Sequence, residues 1–135
     1  NWNRVAGAED TGCHLGDFAC YLSREEIKEI ANRLNGRKIL IAGNHDRMFT
    51  TRDWLDFGFD EVYFLPAVLE DFYILSHEPV YVNINSPYAN IFGHVHGNPM
   101  YQDVSARSFC ACVERIGYAP VPFETVKKAI LDQNR

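Results

Sequence analysis

Four separated stretches carry residue types able to hold a metal ion and move a proton. They are Gly16-Asp17, Gly43-Asn44-His45-Asp46-Arg47, Ser76-His77-Glu78 and Gly93-His94-Val95-His96-Gly97. Each follows a short run of strand character; in Lys38-Ile39-Leu40-Ile41-Ala42, the clearest, the apolar length is that of a buried strand. Glycine at a strand's end permits a tight turn, so the side chains after it can leave the sheet edge together. Loops at the carboxyl ends of strands are where sheet-based enzymes place their chemistry. The set offers Asp17, Asn44, His45, His77, His94 and His96: a carboxylate, an amide oxygen and imidazoles, without a thiolate. Such a mixture suits manganese, iron, zinc and similar borderline ions, and suits magnesium poorly. His14, inside the first expected strand, reads instead as a hydrogen-bonded structural residue. His94 and His96 stand two apart, so extended backbone would point them the same way, and a twist at Gly93 would turn them toward neighbouring ions.

These loops need elements to position them. Asp10 to Leu15 reads as a short strand entering Gly16-Asp17-Phe18. Ser23 with Glu26 three residues later is a capping box, opening a helix through about Leu34 with an apolar stripe at Leu22, Ile27, Ile30, Ala31 and Leu34. Asn35-Gly36 ends it before the strand Lys38 to Ala42. Strand, helix, strand is a βαβ unit, so the first two loops should emerge from one edge of a parallel pair. Thr51 to Phe57 reads as a short helix stopped by Gly58; strands follow at 62–65, 67–69 and 72–75, with a hairpin turn at Glu70-Asp71. Asn83 to Tyr88 is turn-rich, 89–92 and 109–113 read as strands, and Pro122-Phe123-Glu124 opens a closing helix through about Asp132.

The bulk properties narrow the partners. The chain has 135 residues, 47% of them hydrophobic, which fits a single domain over 1–135 with a sizeable core. Thirteen basic against eighteen acidic residues leave a net charge of −5 without a basic cluster. Nonspecific binding to nucleic acid or to an anionic membrane is therefore disfavoured. No apolar run approaches the ~20 residues of a membrane helix, and no signal-peptide pattern is present, so a cytoplasmic protein is expected. Cys13, Cys20, Cys110 and Cys112 match no common zinc spacing and read as packed thiols of a reducing compartment.

The order Gly-Asp, Gly-Asn-His-Asp, a lone His and Gly-His-Val-His resembles that of the calcineurin-like metallophosphoesterase superfamily. Asn1-Trp2-Asn3, His14 to Phe18 and Gly93 to Gly97 are most similar to its small bacterial and phage members. The resemblance covers nearly the whole chain. It implies an α/β fold, an αββα sandwich of two mixed sheets flanked by helices, with two divalent transition-metal ions (manganese, iron, zinc or nickel) at the carboxyl edge. By it Asp17 bridges both ions, Asn44, His77 and His94 complete one, and His96 belongs to the other. His45 resembles the general acid, Asp46 a residue that orients His45, and Arg47 a phosphate contact. The implied reaction is hydrolysis of a small phosphomonoester or phosphodiester. Two ions roughly 3.5–4 Å apart activate water and neutralise phosphoryl charge, and an imidazole donates to the leaving group.

One part of the pattern is missing. The superfamily begins with an Asp-x-His motif on its first strand, and no such motif precedes Asp17. The chain opens on Asn1-Trp2-Asn3 rather than Met, so a preceding segment that carries that strand is expected. Without it the first ion lacks two ligands while the second keeps four. The alternative function is a non-catalytic interaction scaffold on the same fold. The turn at 83–88 and the residues after Gly97, Asn98 and Tyr101 among them, are expected to line the pocket.

Overall fold

In a computed structural model, residues 2–18, 21–94, 107–112, 116–117 and 119–133 are described. Leu40 and Ile41 are adjacent in the strand Arg37–Ile41 (β2), and both are buried, so this strand has no solvent face. Alternation sends the two residues to opposite sides of the sheet. Leu40 joins Ile27 and Ala31 of the helix Arg24–Arg33 (α2) and Trp54 and Phe57 of the helix Thr51–Phe57 (α3). Ile41 joins Leu75, Ala89 and Ile91 of a second sheet, with Val126 and Ile130 of the helix Phe123–Asp132 (α4). Apolar side chains thus pack both between the sheets and beneath the helices.

The first sheet has the order β1-β2-β3, where β1 is Thr11–His14 and β3 is Glu61–Tyr63. Both pairings are parallel, with Cys13 opposite Ile39 and Ile39 opposite Glu61. The second has the order β4-β5-β6-β7, formed by Ala67–Leu69, Tyr73–Ser76, Ala89–Phe92 and Ser108–Cys110. There β4 runs antiparallel to β5, while β5, β6 and β7 are mutually parallel. The expected α/β architecture of two sheets with flanking helices is present. Its first sheet is wholly parallel among the described strands, and only the second is mixed. Glu70 and Asp71 close the β4–β5 hairpin with φ of 56° each, the left-handed pair that matches strand twist. A short helix, Trp2–Val5 (α1), precedes β1 and is tied to the end of α2, where Trp2 Nε1 donates to Asn35 O at 2.9 Å.

The βαβ expectation holds: β1 and β2 pair in parallel across α2, whose capping box of Ser23 and Glu26 is formed. One expectation about the pocket does not hold. The 83–88 turn enters β6 at its amino end, where Arg107 donates to the carbonyls of Ile84, Ser86 and Tyr88. That end of the sheet lies away from the carboxyl edge. Asn98 and Tyr101 lie outside the described residues.

Candidate metal centre

Asp17 follows β1, Asn44 follows β2, His77 follows β5 and His94 follows β6. Because these pairs of strands are parallel, each sheet sends two loops from one edge, and the sandwich brings the two edges together. The result is a cluster of Lewis bases around His77 Nε2. Asn44 Oδ1 stands 3.0 Å from it, His94 Nδ1 3.0 Å and Asp17 Oδ2 3.3 Å. Ligand atoms of Asp17, His77 and His94 all lie within 4.8 Å of one another.

The tautomer of His77 is determined by its other nitrogen. Nδ1 lies 2.7 Å from the carbonyl oxygen of Leu15, which can only accept, so Nδ1 carries the proton and donates. In the neutral ring Nε2 then has a bare lone pair, aimed at the oxygens and nitrogen above. An outer hydrogen bond of this kind is what orients a metal-ligating histidine. His77 is 3% exposed, whereas His94 is exposed, so the cluster is walled by protein on one side and opens on the other.

A set of one carboxylate, one amide oxygen and two imidazoles fits a borderline divalent ion. The Asn44 amide supplies the alternative. Turned by half a rotation, its NH2 would donate to His77 Nε2 at 3.0 Å and to Asp17 Oδ2 at 3.2 Å. Protons can therefore hold the cluster together with the amide in one orientation, and a cation with the amide in the other. Only the second orientation leaves four lone pairs converging, which is the arrangement that a cation needs.

Close packing accounts for Gly43, and at Gly16 it adds to a backbone φ of 100° that already favours glycine. A Cβ on Gly16 would fall against His77 Nδ1 and 2.7 Å from Gly43 N. A Cβ on Gly43 would fall against Asp17 Oδ1 and 2.7 Å from His77 Cε1. The first two loops thus touch each other with the His77 ring wedged against both. Asp17 and His94 adopt left-handed backbone, with φ of 53° and 66°. For residues other than glycine this costs of order 1–3 kcal/mol each and persists where surrounding structure enforces it.

The remaining site candidates take different places. Asn44–Met48 forms a 3₁₀ turn in which Asn44, His45 and Arg47 are exposed and Asp46 is fully buried. The His45 backbone N–H donates to Asp17 Oδ1 at 3.0 Å, which places this residue directly beside the cluster. Arg47 Nη2 donates to Phe64 O at 3.1 Å, and the side chain shares a small cleft with His77 and Glu78. Asp46 does not take the place that the resemblance implied for it. Its Oδ2 accepts from Gly43 N–H at 2.8 Å and its Oδ1 from Phe18 N–H at 3.0 Å, so its oxygens face backbone rather than the His45 imidazole. Burial pushes its carboxyl pKa up, and those same backbone bonds oppose the shift. His96 lies outside the described residues. His14 ends β1, accepts from Gly16 N–H at 3.2 Å and packs edge-on against Phe18. Burial first, and the neighbouring His77 second, lower its pKa to about 4, as befits a neutral structural imidazole.

Two features of the cluster have no local signature: the Leu15 carbonyl that sets the His77 tautomer, and the Asp46 bond to Phe18. Cys13, Cys110 and Cys112 are thiols rather than disulfides, and Cys20 lies outside the described residues. No helix among the described residues is long and apolar enough to cross a membrane.

No family model matches the chain. The uncharacterized protein MJ1445 of Methanocaldococcus jannaschii is 27% identical over 136 residues, spanning 96% of this chain and 71% of its own length. The crystal structure of AQ665 from Aquifex aeolicus, a protein of unknown function, is similar with a TM-score of 0.69 at 28% identity. That match covers 94% of this chain and 80% of AQ665. The chain therefore shares its two-sheet fold with a solved protein whose sequence is also similar.

Proposed function

We propose that this chain is a metal-dependent phosphoesterase that hydrolyses a small phosphomonoester or phosphodiester. The observation that carries this reading is the convergence of Asp17, Asn44 and His94 on the unprotonated nitrogen of His77. The order of these residues along the chain, as in calcineurin-like phosphoesterases, supports it from the sequence side. A divalent transition-metal ion held by these four residues supplies Lewis acidity toward water and phosphoryl oxygens. Asp17, whose Oδ1 accepts from His45 N–H, would offer its Oδ2 to such an ion. His45, exposed at the rim, presents an imidazole that can give a proton to the leaving oxygen. Arg47, in the adjoining cleft, adds positive charge for a phosphoryl oxygen. A second ion on Asp17 and His96, manganese in both sites and a cytoplasmic setting belong to the same reading.

The test is hydrolysis of nitrophenyl phosphate and bis-nitrophenyl phosphate with added Mn²⁺, alongside metal content by elemental analysis. The His45→Ala variant should keep its metal and lose about 10²–10⁴-fold in kcat, the usual contribution of a general acid. Full activity in that variant would remove the assigned role. Hydrolysis of neither ester by a chain extended to carry an Asp-x-His strand would favour the interaction scaffold.

A further inference from the structure

We infer that Asp46 is a positioning residue that latches the two ligand loops of the first sheet together and thereby sets the carboxylate of Asp17. The inference rests on the metal-site reading above, but its geometry stands alone. The two loops exchange hydrogen bonds reciprocally. Asp17, in the first loop, accepts from the backbone N–H of His45 in the second, at 3.0 Å. Asp46, in the second, accepts from the backbone N–H of Phe18 in the first, also at 3.0 Å.

The other Asp46 oxygen accepts from Gly43 N–H at 2.8 Å, closing the 3₁₀ turn on itself. Its backbone carbonyl accepts from the indole Nε1 of Trp54 at 3.0 Å, and Trp54 is fully buried. The latch is therefore anchored in the helix-side core. Phe18 packs edge-on against Trp54 and Phe59, so the residue that donates to Asp46 is held by that core as well. The carboxylate contributes no open lone pair to the metal cluster and faces away from solvent. Its function is to hold the neighbours of Asp17 and Asn44 at fixed separation, so that two ligands from different loops meet His77 without a search. Outer groups of this kind typically change metal affinity 10- to 100-fold when removed.

The test uses Asp46→Asn, which keeps the shape but replaces one accepting oxygen with an NH2. A second variant, Leu40→Ala, weakens the same core without touching a carboxylate and serves as the stability control. Amide hydrogen exchange is read on the metal-free chain, and Co²⁺ affinity by titration. The latch predicts that Asp46→Asn speeds exchange at Phe18, at Gly43 and also at His45, whose own acceptor is Asp17. At His45 the increase should exceed that in Leu40→Ala by at least tenfold, and Co²⁺ affinity should fall 10- to 100-fold. Unchanged protection at His45 in Asp46→Asn would overturn the inference, as would an equal loss in Leu40→Ala. If the parent chain binds no Co²⁺ while His45 is still deprotected in Asp46→Asn, the latch stands and the phosphoesterase reading falls.

Discussion

At Gly43 the absence of a side chain matters more than the freedom of the backbone. Its φ of −90° and ψ of 178° are open to any residue, so alanine would meet no backbone strain there. By itself that exchange should stabilise by about 0.4–1 kcal/mol through the unfolded chain. The added methyl, however, would stand 2.6 Å from Asp17 N and 2.7 Å from His77 Cε1, with a still closer approach to Asp17 Oδ1. Overpacking of this sort costs about 1–3 kcal/mol, so the steric term wins. Gly43→Ala should lower the thermal midpoint modestly and weaken Mn²⁺ binding by more than tenfold, read by calorimetry on one preparation. A variant that binds Mn²⁺ as the parent does would show that the loops have more room than their contacts indicate.

The helices that carry the first sheet are linked at their amino ends. Thr50 and Asp53 form the capping box of α3, and Asp53 also receives Arg24 of α2 in a 2.8 Å ion pair. Its hydrogen bonds from Arg24 and then from Thr50 hold the Asp53 pKa down at about 2, below the ordinary carboxylate range. A native carboxylate that binds its proton less tightly than the unfolded one stabilises the fold above the unfolded pKa. That contribution shrinks as pH falls from about 4 toward 2. Asp53→Asn should therefore lower the thermal midpoint at pH 7, with the difference from the parent closing as the pH approaches 2. A pH-independent difference would assign the effect to the cap geometry alone. Exposure keeps the ion-pair share small, and added salt should reduce it further.

Across the molecule, the four ligand loops come from both sheets, two from each. An ion bound there joins the sheets at the edge where only loops otherwise meet. Binding to the native state alone adds RT ln(1 + [L]/Kd), about 2.7 kcal/mol at a hundredfold excess over Kd. Mn²⁺ should accordingly raise the thermal midpoint, and a chelator should return it to the metal-free value. In His77→Ala the rise should disappear, because the buried imidazole is the atom on which the other ligands converge. A midpoint insensitive to Mn²⁺ in the parent chain would contradict the metal-site reading.

Much of the fold was legible along the chain because it depends on local terms. The capping box at Ser23, the apolar run into Ala42 and the Glu70-Asp71 turn each encode their element within a dozen residues, and the βαβ unit follows from the succession of elements between Thr11 and Ile41. The chemistry-bearing types and their order were legible for the same reason. Three things depended on how the sheets pack. The Leu15 carbonyl selects the protonated nitrogen of His77 across 62 positions of sequence. Asp46 faces the Phe18 backbone rather than the neighbouring imidazole because the 3₁₀ turn rotates its carboxylate inward while leaving His45 outside. Gly43, and Gly16 in addition to its φ of 100°, must lack a side chain because His77, from the other sheet, fills the space beside them. Residue types and periodicity determine which elements form and what chemistry they can carry; which atoms meet is decided by register and packing between distant segments, on which no local pattern depends.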